Sequence, residues 1–455
     1  MTNHIHAALF ESASGPLRQW LAGHPIDEVV QRVLQEFAPE FRRNKDRIII
    51  IQMGLGRDSI AMLLLLLEGK LIAEGIPLRP ADVDAVVFSD PGYEWPETYK
   101  LIPSVDAICR QMCIPFFVLA KPPEEGPGGW SAWTKNWQLS KTEEDMDRPD
   151  KPWLQDLPPL PVRPPMPVPV PANASRKKPK QPAPALPAET GRLHPEEVAI
   201  LQARAQVGGY HTRPPIVADY EARTRPIQKA DASCTVNHKI GPSRRIMNDI
   251  SMVRFGLTNA QWSAQVKKGT RKPHIFLLGI AADEQDRVKN LNSPDCQVGY
   301  SVMQFPLVEA GITRNAEAPI LNRHGLGGVQ KSGCMMCKFQ GPDWFWALSV
   351  TDPAAWKRVL AWEKANLISA AKAGRSLSDA RIVRGKRGLE DVVAEWRAEH
   401  PDATIDAVFR NEYRSCKSRY SEGQTEGQTE GQAVNKGKKK KNNPSDYCRF
   451  CGKIR

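Results

Sequence analysis

IIIIQMGLGRDS, residues 48–59, is the stretch on which the reading of this chain turns. Ile48, Ile49, Ile50 and Ile51 form a continuous β-branched run, the pattern of a strand buried on both faces, as in a parallel sheet. Gly54 and Gly56 then permit a tight turn with close backbone approach. Asp58 and Ser59 stand where an N-cap belongs, ahead of the apolar helical pattern from Ile60 to Leu67. Strand, glycine turn and helix start together make an anion site. Backbone N–H groups and the positive end of the helix would face a phosphate, and Arg57 adds a formal charge. The same residues also suit an ordinary β–α connection in which the glycines shape only the turn.

Further segments repeat the pattern. Residues 83–89 read as a buried strand ending in Asp90-Pro91-Gly92-Tyr93-Glu94-Trp95, with a helix beginning near Pro96. A third strand is expected over residues 115–119, and Cys109 and Cys113, on or just after the helix before it, read as core thiols. Ile275 to Ala282 is another buried strand, and Asp283 and Glu284 close it. Acids at that end of a strand can coordinate Mg²⁺, accept a ribose hydroxyl or act as a base; they can equally cap the following helix. Lys239, Arg244 and Arg245, beside the Gly241-Pro242 turn, suit bidentate phosphate contacts or a solvated basic helix start.

Lys331-Ser332-Gly333-Cys334-Met335-Met336-Cys337-Lys338 carries the thiol chemistry. Thiolates at Cys-x-x-Cys spacing can grip one tetrahedral metal centre, and the flanking lysines favour deprotonation. The remaining ligands would come from Cys234 with His238 or Cys296, or from the terminal Cys448 and Cys451; a redox dithiol is the competing role.

Taken in order, these segments resemble the phosphoadenosine phosphosulfate (PAPS) reductase family of the PP-loop, or adenine nucleotide α-hydrolase, superfamily, in its phage- and defence-associated branch. The likeness rests on GLGRDS and VVFSDPGYEWPETY, on Cys234-Thr235 with Lys239, Ile240, Pro242 and Arg244, on Leu278-Gly279-Ile280 with Asp283, Glu284 and Arg287, on the segment from Phe305 to Arg314, and on Lys331-Ser332 with Cys334 and Cys337. It covers most of residues 45–120 and 230–365. The usual loop reads Ser-Gly-Gly-x-Asp-Ser; here Gly54 and Leu55 fill the first two positions, and only Gly56, Asp58 and Ser59 match. Nucleotide binding is therefore better supported than cleavage of the α–β phosphate bond.

The resemblance implies a doubly wound parallel sheet, Rossmann-like, with a nucleotide at the carboxyl ends of the strands. It implies ATP or a related adenine nucleotide with Mg²⁺ at Gly54, Gly56, Arg57 and Ser59, and Lys239 and Arg244 facing phosphates, with Arg245 beside them. Asp58, Asp90, Glu94, Asp283 and Glu284 are the candidate catalytic groups. An iron–sulfur or zinc site would lie beside the nucleotide, held by Cys234, Cys334 and Cys337 with Cys296 as a further candidate. Related sulfur-transfer enzymes, including those of DNA phosphorothioation, use iron–sulfur clusters.

Composition sets the surroundings. The chain has 455 residues, 41% of them hydrophobic, and no apolar run long enough to span a bilayer. Residues 1–23 lack a signal-peptide pattern, so a cytoplasmic protein is expected. An odd number of cysteines, nine, argues for thiols or metal ligands over a disulfide framework. A formal charge of +12 and the basic run from Lys436 to Lys441 suggest a polyanionic partner such as nucleic acid, and the family resemblance implies DNA in particular.

The expected organisation is a helical preamble (1–45), an α/β domain in two parts (46–120 and 196–330), a Cys-x-x-Cys helical region (331–420) and a flexible basic tail (421–455). Between the two α/β parts lies a proline-rich disordered insertion (121–195), a spacer that could also engage a protein partner. Trp130, Trp133 and Trp137 could form a lid or dock the insertion, while Trp344, Phe345, Trp346, Trp356 and Trp362 are mostly core. Three functions follow: ATP-dependent modification of nucleic acid by adenylation and sulfur transfer, in DNA modification or anti-phage defence; base excision from DNA without ATP in a repurposed pocket; or reduction of free PAPS.

Overall fold

The computed structural model describes residues 46–125, 130–131, 157–165, 193–223, 233–284, 288, 298–337, 340–383, 387–410 and 413. The expectations for residues 1–45, Trp133, Trp137, Arg287, Cys296, Lys436 to Lys441, Cys448 and Cys451 lie outside them.

Strands β1 (Ile49–Met53), β2 (Ala85–Ser89), β3 (Phe116–Leu119), β4 (His274–Leu278) and β5 (Ser301–Gln304) form one five-stranded sheet in the order β3-β2-β1-β4-β5. Every pairing in it is parallel. This is the doubly wound order, which reverses direction at β1; ligands of such sheets bind at the carboxyl edge beside that reversal.

The isoleucine run explains why β1 is central. Ile49, Ile51 and Met53 point into one core, shared with the helices Arg57–Leu67, Ile102–Gln111 and Arg314–Arg323. Ile48 and Ile50 point into the other, shared with the helices Pro195–Gln206 and Gly241–Phe255. Alternation along a strand thus places apolar carbon in both layers, worth about 1.5–3 kcal/mol per fully buried side chain. β2 starts later than the sequence suggests, because Pro80–Asp82 makes a tight turn and the Val83 N–H bonds to the Pro80 carbonyl (3.2 Å) instead of joining the ladder.

At the amino edge the strands are tied by buried polar groups. Asp84 accepts the Ile49 N–H (2.8 Å) and pairs with Arg254, while His274 Nδ1 accepts the Ile48 N–H (3.1 Å).

A third apolar cluster gathers the helices Pro342–Thr351, Pro353–Lys372, Leu389–Glu399 and Ile405–Phe409. Trp95, from the loop after β2, is its link to the sheet, edge-on to Trp344 (5.4 Å) and Phe409 (5.2 Å). Trp344, Phe345 and Trp362 are buried there, as expected of core residues.

The Gly241-Pro242 turn does not exist. Ser233–Thr235, Val236–Ile240 and Gly241–Phe255 run on as one helical stretch, widened to π geometry in the middle. The widened turn lets the Gly241 N–H bond to the Val236 carbonyl, and Pro242, which has no N–H, falls at the next helical start where none is needed. Within the proline-rich stretch, residues 157–165 are held against the second core through Leu160 and a bidentate Arg163–Glu197 pair (2.7 Å to each oxygen). No helix among the described residues is long and apolar enough to cross a membrane.

Candidate functional site

The loop after β1 is built differently from its sequence reading. The helix begins at Arg57 with Gly56 as its N-cap, and no side chain caps it. The Ser59 hydroxyl instead closes the loop, donating to the Gly56 carbonyl (3.0 Å) and accepting the Gly54 N–H (3.3 Å). Leu55 takes the left-handed conformation (φ 55°), and complete burial of its side chain offsets a backbone cost of about 1–2 kcal/mol.

What approaches the glycines is protein. A Cβ on Gly56 would lie 2.5 Å from the Ser332 nitrogen, and one on Gly54 would lie 2.9 Å from the Ser332 hydroxyl. From the β4 side, a Cβ on Gly279 would lie 2.7 Å from the Ser59 nitrogen. The loop is clasped between the Lys331–Gly333 segment and the end of β4, which leaves Arg57 and Asp58, both half-buried, at its mouth.

Asp283 and Glu284 reach the same edge. Asp283 accepts the backbone N–H of Arg314 (3.2 Å), Glu284 pairs with the Arg314 guanidinium, and that guanidinium lies 4.0 Å from Asp58. The two acids thus hold the start of Arg314–Arg323, a capping role on a helix farther along the chain. Next to them Glu317 is fully buried, with no hydrogen-bond partner for either oxygen. Burial, then the neighbouring Asp58 charge, pushes its carboxyl up to about 9.

A second group forms beyond β2. Asp90 accepts from the Gly92 N–H (2.7 Å) and the Tyr99 hydroxyl (2.8 Å), and burial raises its carboxyl above the usual range. Glu94, 1% exposed, gathers the Lys239 ammonium (3.0 Å), the Gly333 N–H (2.9 Å) and the Cys334 thiol (3.9 Å). Lys239 is therefore committed to a carboxylate. Burial works against its charge, but Glu94 and then Cys334 hold the ammonium above its ordinary range. Arg245 donates from Nε to the Tyr210 carbonyl (2.6 Å), and its Nη2 is buried without a hydrogen-bond partner. Arg244 lies apart from them, beside Tyr300.

Cys234, Cys334 and Cys337 share the third cluster, yet among the described residues no group of three or more His, Cys, Asp and Glu side chains is placed to hold a metal ion. Burial, then Glu94, drives the Cys334 thiol well above its ordinary pKa. His238 has no nitrogen to offer a metal: Nε2 meets Asp219 (3.0 Å) and Nδ1 meets Lys121 (2.8 Å). The described residues therefore do not fit the metal centre.

Lys121, His211 and Asp219 carry a cluster that the sequence reading missed. Lys121 Nζ lies 2.9 Å from His211 Nδ1 and 2.8 Å from His238 Nδ1. His211 Nε2 faces the Leu119 carbonyl (2.7 Å), so each imidazole donates from Nε2 and accepts at Nδ1. Burial lowers the Lys121 amine to about 7, against the opposing pull of Asp90 and Asp219. The one available signal was position, since Lys121 lies two residues past the carboxyl end of a strand.

Compared with family models, curated proteins and solved structures, the chain matches none of them. The class that the fold defines is an α/β protein built on an all-parallel five-stranded sheet.

Proposed function

We propose that this protein is a PAPS reductase-like enzyme that binds an adenine nucleotide with Mg²⁺ at the carboxyl edge of the sheet. Its substrate is nucleic acid, DNA above all, in DNA modification or anti-phage defence by adenylation and sulfur-transfer chemistry. The observation that carries the proposal is the strand order, which aligns residues 54–59, 90–95 and 279–284 along one edge, around the reversal at β1, where Ser332 against the glycine loop and Gly333 on Glu94 join them. Arg57 and the first-turn N–H groups of its helix would hold phosphate oxygens at the loop mouth. The formal charge of +12 suits a polyanionic substrate.

A second reading, base excision without ATP, is favoured by Ser332. It fills the glycine face on which a pyrophosphate would otherwise lie, and it leaves the acids Asp58 and Asp90 at the same edge. One experiment separates the two. Anaerobically purified protein is given modified or unmodified DNA, with and without Mg-ATP, while AMP, pyrophosphate and free base are followed together. DNA-stimulated AMP formation that disappears in Asp58→Ala supports the ATP-dependent enzyme. Base release without ATP overturns it in favour of excision, and neither activity on any DNA rejects both.

A further inference from the structure

The helix Pro353–Lys372 turns Ala355, Val359 and Trp362 into the third apolar cluster. Its one acidic residue, Glu363, is buried as well and accepts the Ile382 and Leu389 N–H groups (3.2 and 2.8 Å). The solvent side carries Lys357, Lys364 and Lys372, all exposed. At 3.6 residues per turn they fall within about 80° of the circumference and span about 22 Å along the axis. Arg375, also exposed, follows just past the left-handed Gly374 that ends the helix. Among the described residues these four have no ion pair or side-chain hydrogen bond, whereas Arg358 on the flank is held by Glu221. The region's charge is segregated: Glu390, Asp391, Glu395 and Glu399, all exposed, lie on a different helix, Leu389–Glu399. A surface shaped by solubility alone intersperses the two signs. The helix dipole accounts for a cation at Lys372, in the last turn, but not at Lys357 or Lys364.

Between the cations the face is shallow, with Ala361, Ala365 and Ala371 exposed, so a partner's backbone can lie close while the lysines reach to either side. Ile368 is the one large apolar side chain exposed on the helix, too little for insertion into a membrane surface. Trp356 is half-buried and Trp362 buried, so the face offers no aromatic platform for unstacked bases.

We propose that this face docks the sugar–phosphate backbone of duplex DNA, about six base pairs of which lie along the row. The inference rests on the nucleic-acid reading above and adds where the duplex is held. Lys357, Lys364, Lys372 and Arg375 donate to phosphate oxygens, contacts that position a duplex without reading its sequence.

The full chain is titrated with fluorescent duplexes of two unrelated sequences across a salt series. The complexes are then footprinted with an amine-acetylating reagent read by peptide mass spectrometry. Both duplexes should bind alike, and each should slow acetylation of Lys357, Lys364 and Lys372 several-fold while the exposed Lys70 and Lys100 react as in the free protein. Combining Lys357→Gln, Lys364→Gln, Lys372→Gln and Arg375→Gln should reduce the slope of log affinity against log salt by about 0.9 per contact, about 3–4 in all. These exposed positions should leave the urea midpoint unchanged. The same loss of four charges in the basic run, by Lys438→Gln, Lys439→Gln, Lys440→Gln and Lys441→Gln, should leave the helix footprint intact. A duplex that binds the wild-type chain without protecting the row, or that protects Lys70 and Lys100 equally, overturns the surface and leaves DNA standing as substrate. Binding of neither duplex at low salt removes the surface and the nucleic-acid reading together. Protection of the row by phosphatidylserine vesicles and by neither duplex assigns it to a membrane and overturns the proposal.

Discussion

Gly56→Ala tests whether the Lys331–Gly333 segment is seated on the loop after β1. The added methyl would sit 2.5 Å from the Ser332 nitrogen and 2.7 Å from its hydroxyl, where side-chain carbons hold off to at least 3.0 Å. Gly56 has φ −106° and ψ 174°, which alanine adopts without strain, so any loss comes from the contact. Overpacking of this kind costs about 1–3 kcal/mol, reduced by about 0.4–1 kcal/mol that alanine returns through a less flexible unfolded chain. A net loss between about 0 and 2.6 kcal/mol is expected by urea denaturation, and a loss of about 1–3 kcal/mol relative to an uncontacted Gly→Ala control. Gly54→Ala meets only the Ser332 hydroxyl, at 2.9 Å, with the Ser332 Cβ 3.8 Å away. Ser332→Ala should therefore relieve Gly54→Ala and leave Gly56→Ala unrelieved, because the atom blocking Gly56 is backbone. Gly328→Ala, with nothing within 4 Å and no positive φ, is the control and should be stabilised by about 0.4–1 kcal/mol. Equal stability of Gly56→Ala and Gly328→Ala, or rescue of Gly56→Ala by Ser332→Ala, would refute the seating.

Other perturbations follow from the same geometry. Arg254→Leu strands the buried Asp84 carboxylate and should cost about 3–5 kcal/mol in urea denaturation. Glu94→Gln removes the charge that raises the Cys334 thiol pKa and leaves Lys239 unneutralised, so alkylation of Cys334 at a fixed pH should speed up; a slower reaction would contradict the assigned contacts. Burial depresses the Lys121 amine from 10.5 to about 7, so the unfolded chain binds the extra proton between those values. Wild-type stability should therefore rise relative to Lys121→Met as pH climbs through that window, and the difference should flatten below about pH 7.

The strands were legible because their signal is local. A β-branched run has one economical use, and the isoleucines of β1 serve two cores at once. What the sequence hid was what each motif faces. Gly54 and Gly56 advertise close approach but not that Ser332, from a segment about 276 residues farther along the chain, makes it. Asp283 and Glu284 read as the close of a strand running to Ala282, but β4 stops at Leu278 and the acids fall in a tight turn at Ala282–Glu284, while their partner Arg314 lies beyond the next strand. Gly241-Pro242 reads as a turn on propensity, and only the π-widened helix before it lets both residues continue the helix. Lys121, His211 and Asp219 carry no shared spacing; tertiary packing alone brings them together around the Lys121 and His238 side chains.

The most direct measurement is hydrogen–deuterium exchange of the full chain with and without saturating Mg-ATP. A nucleotide at the reversal of the sheet predicts slower exchange at the first-turn amides of Arg57–Leu67 and across residues 279–284, with Asp58→Ala weakening both effects. ATP that leaves those amides unchanged, or protects a different edge of the sheet, would contradict the placement.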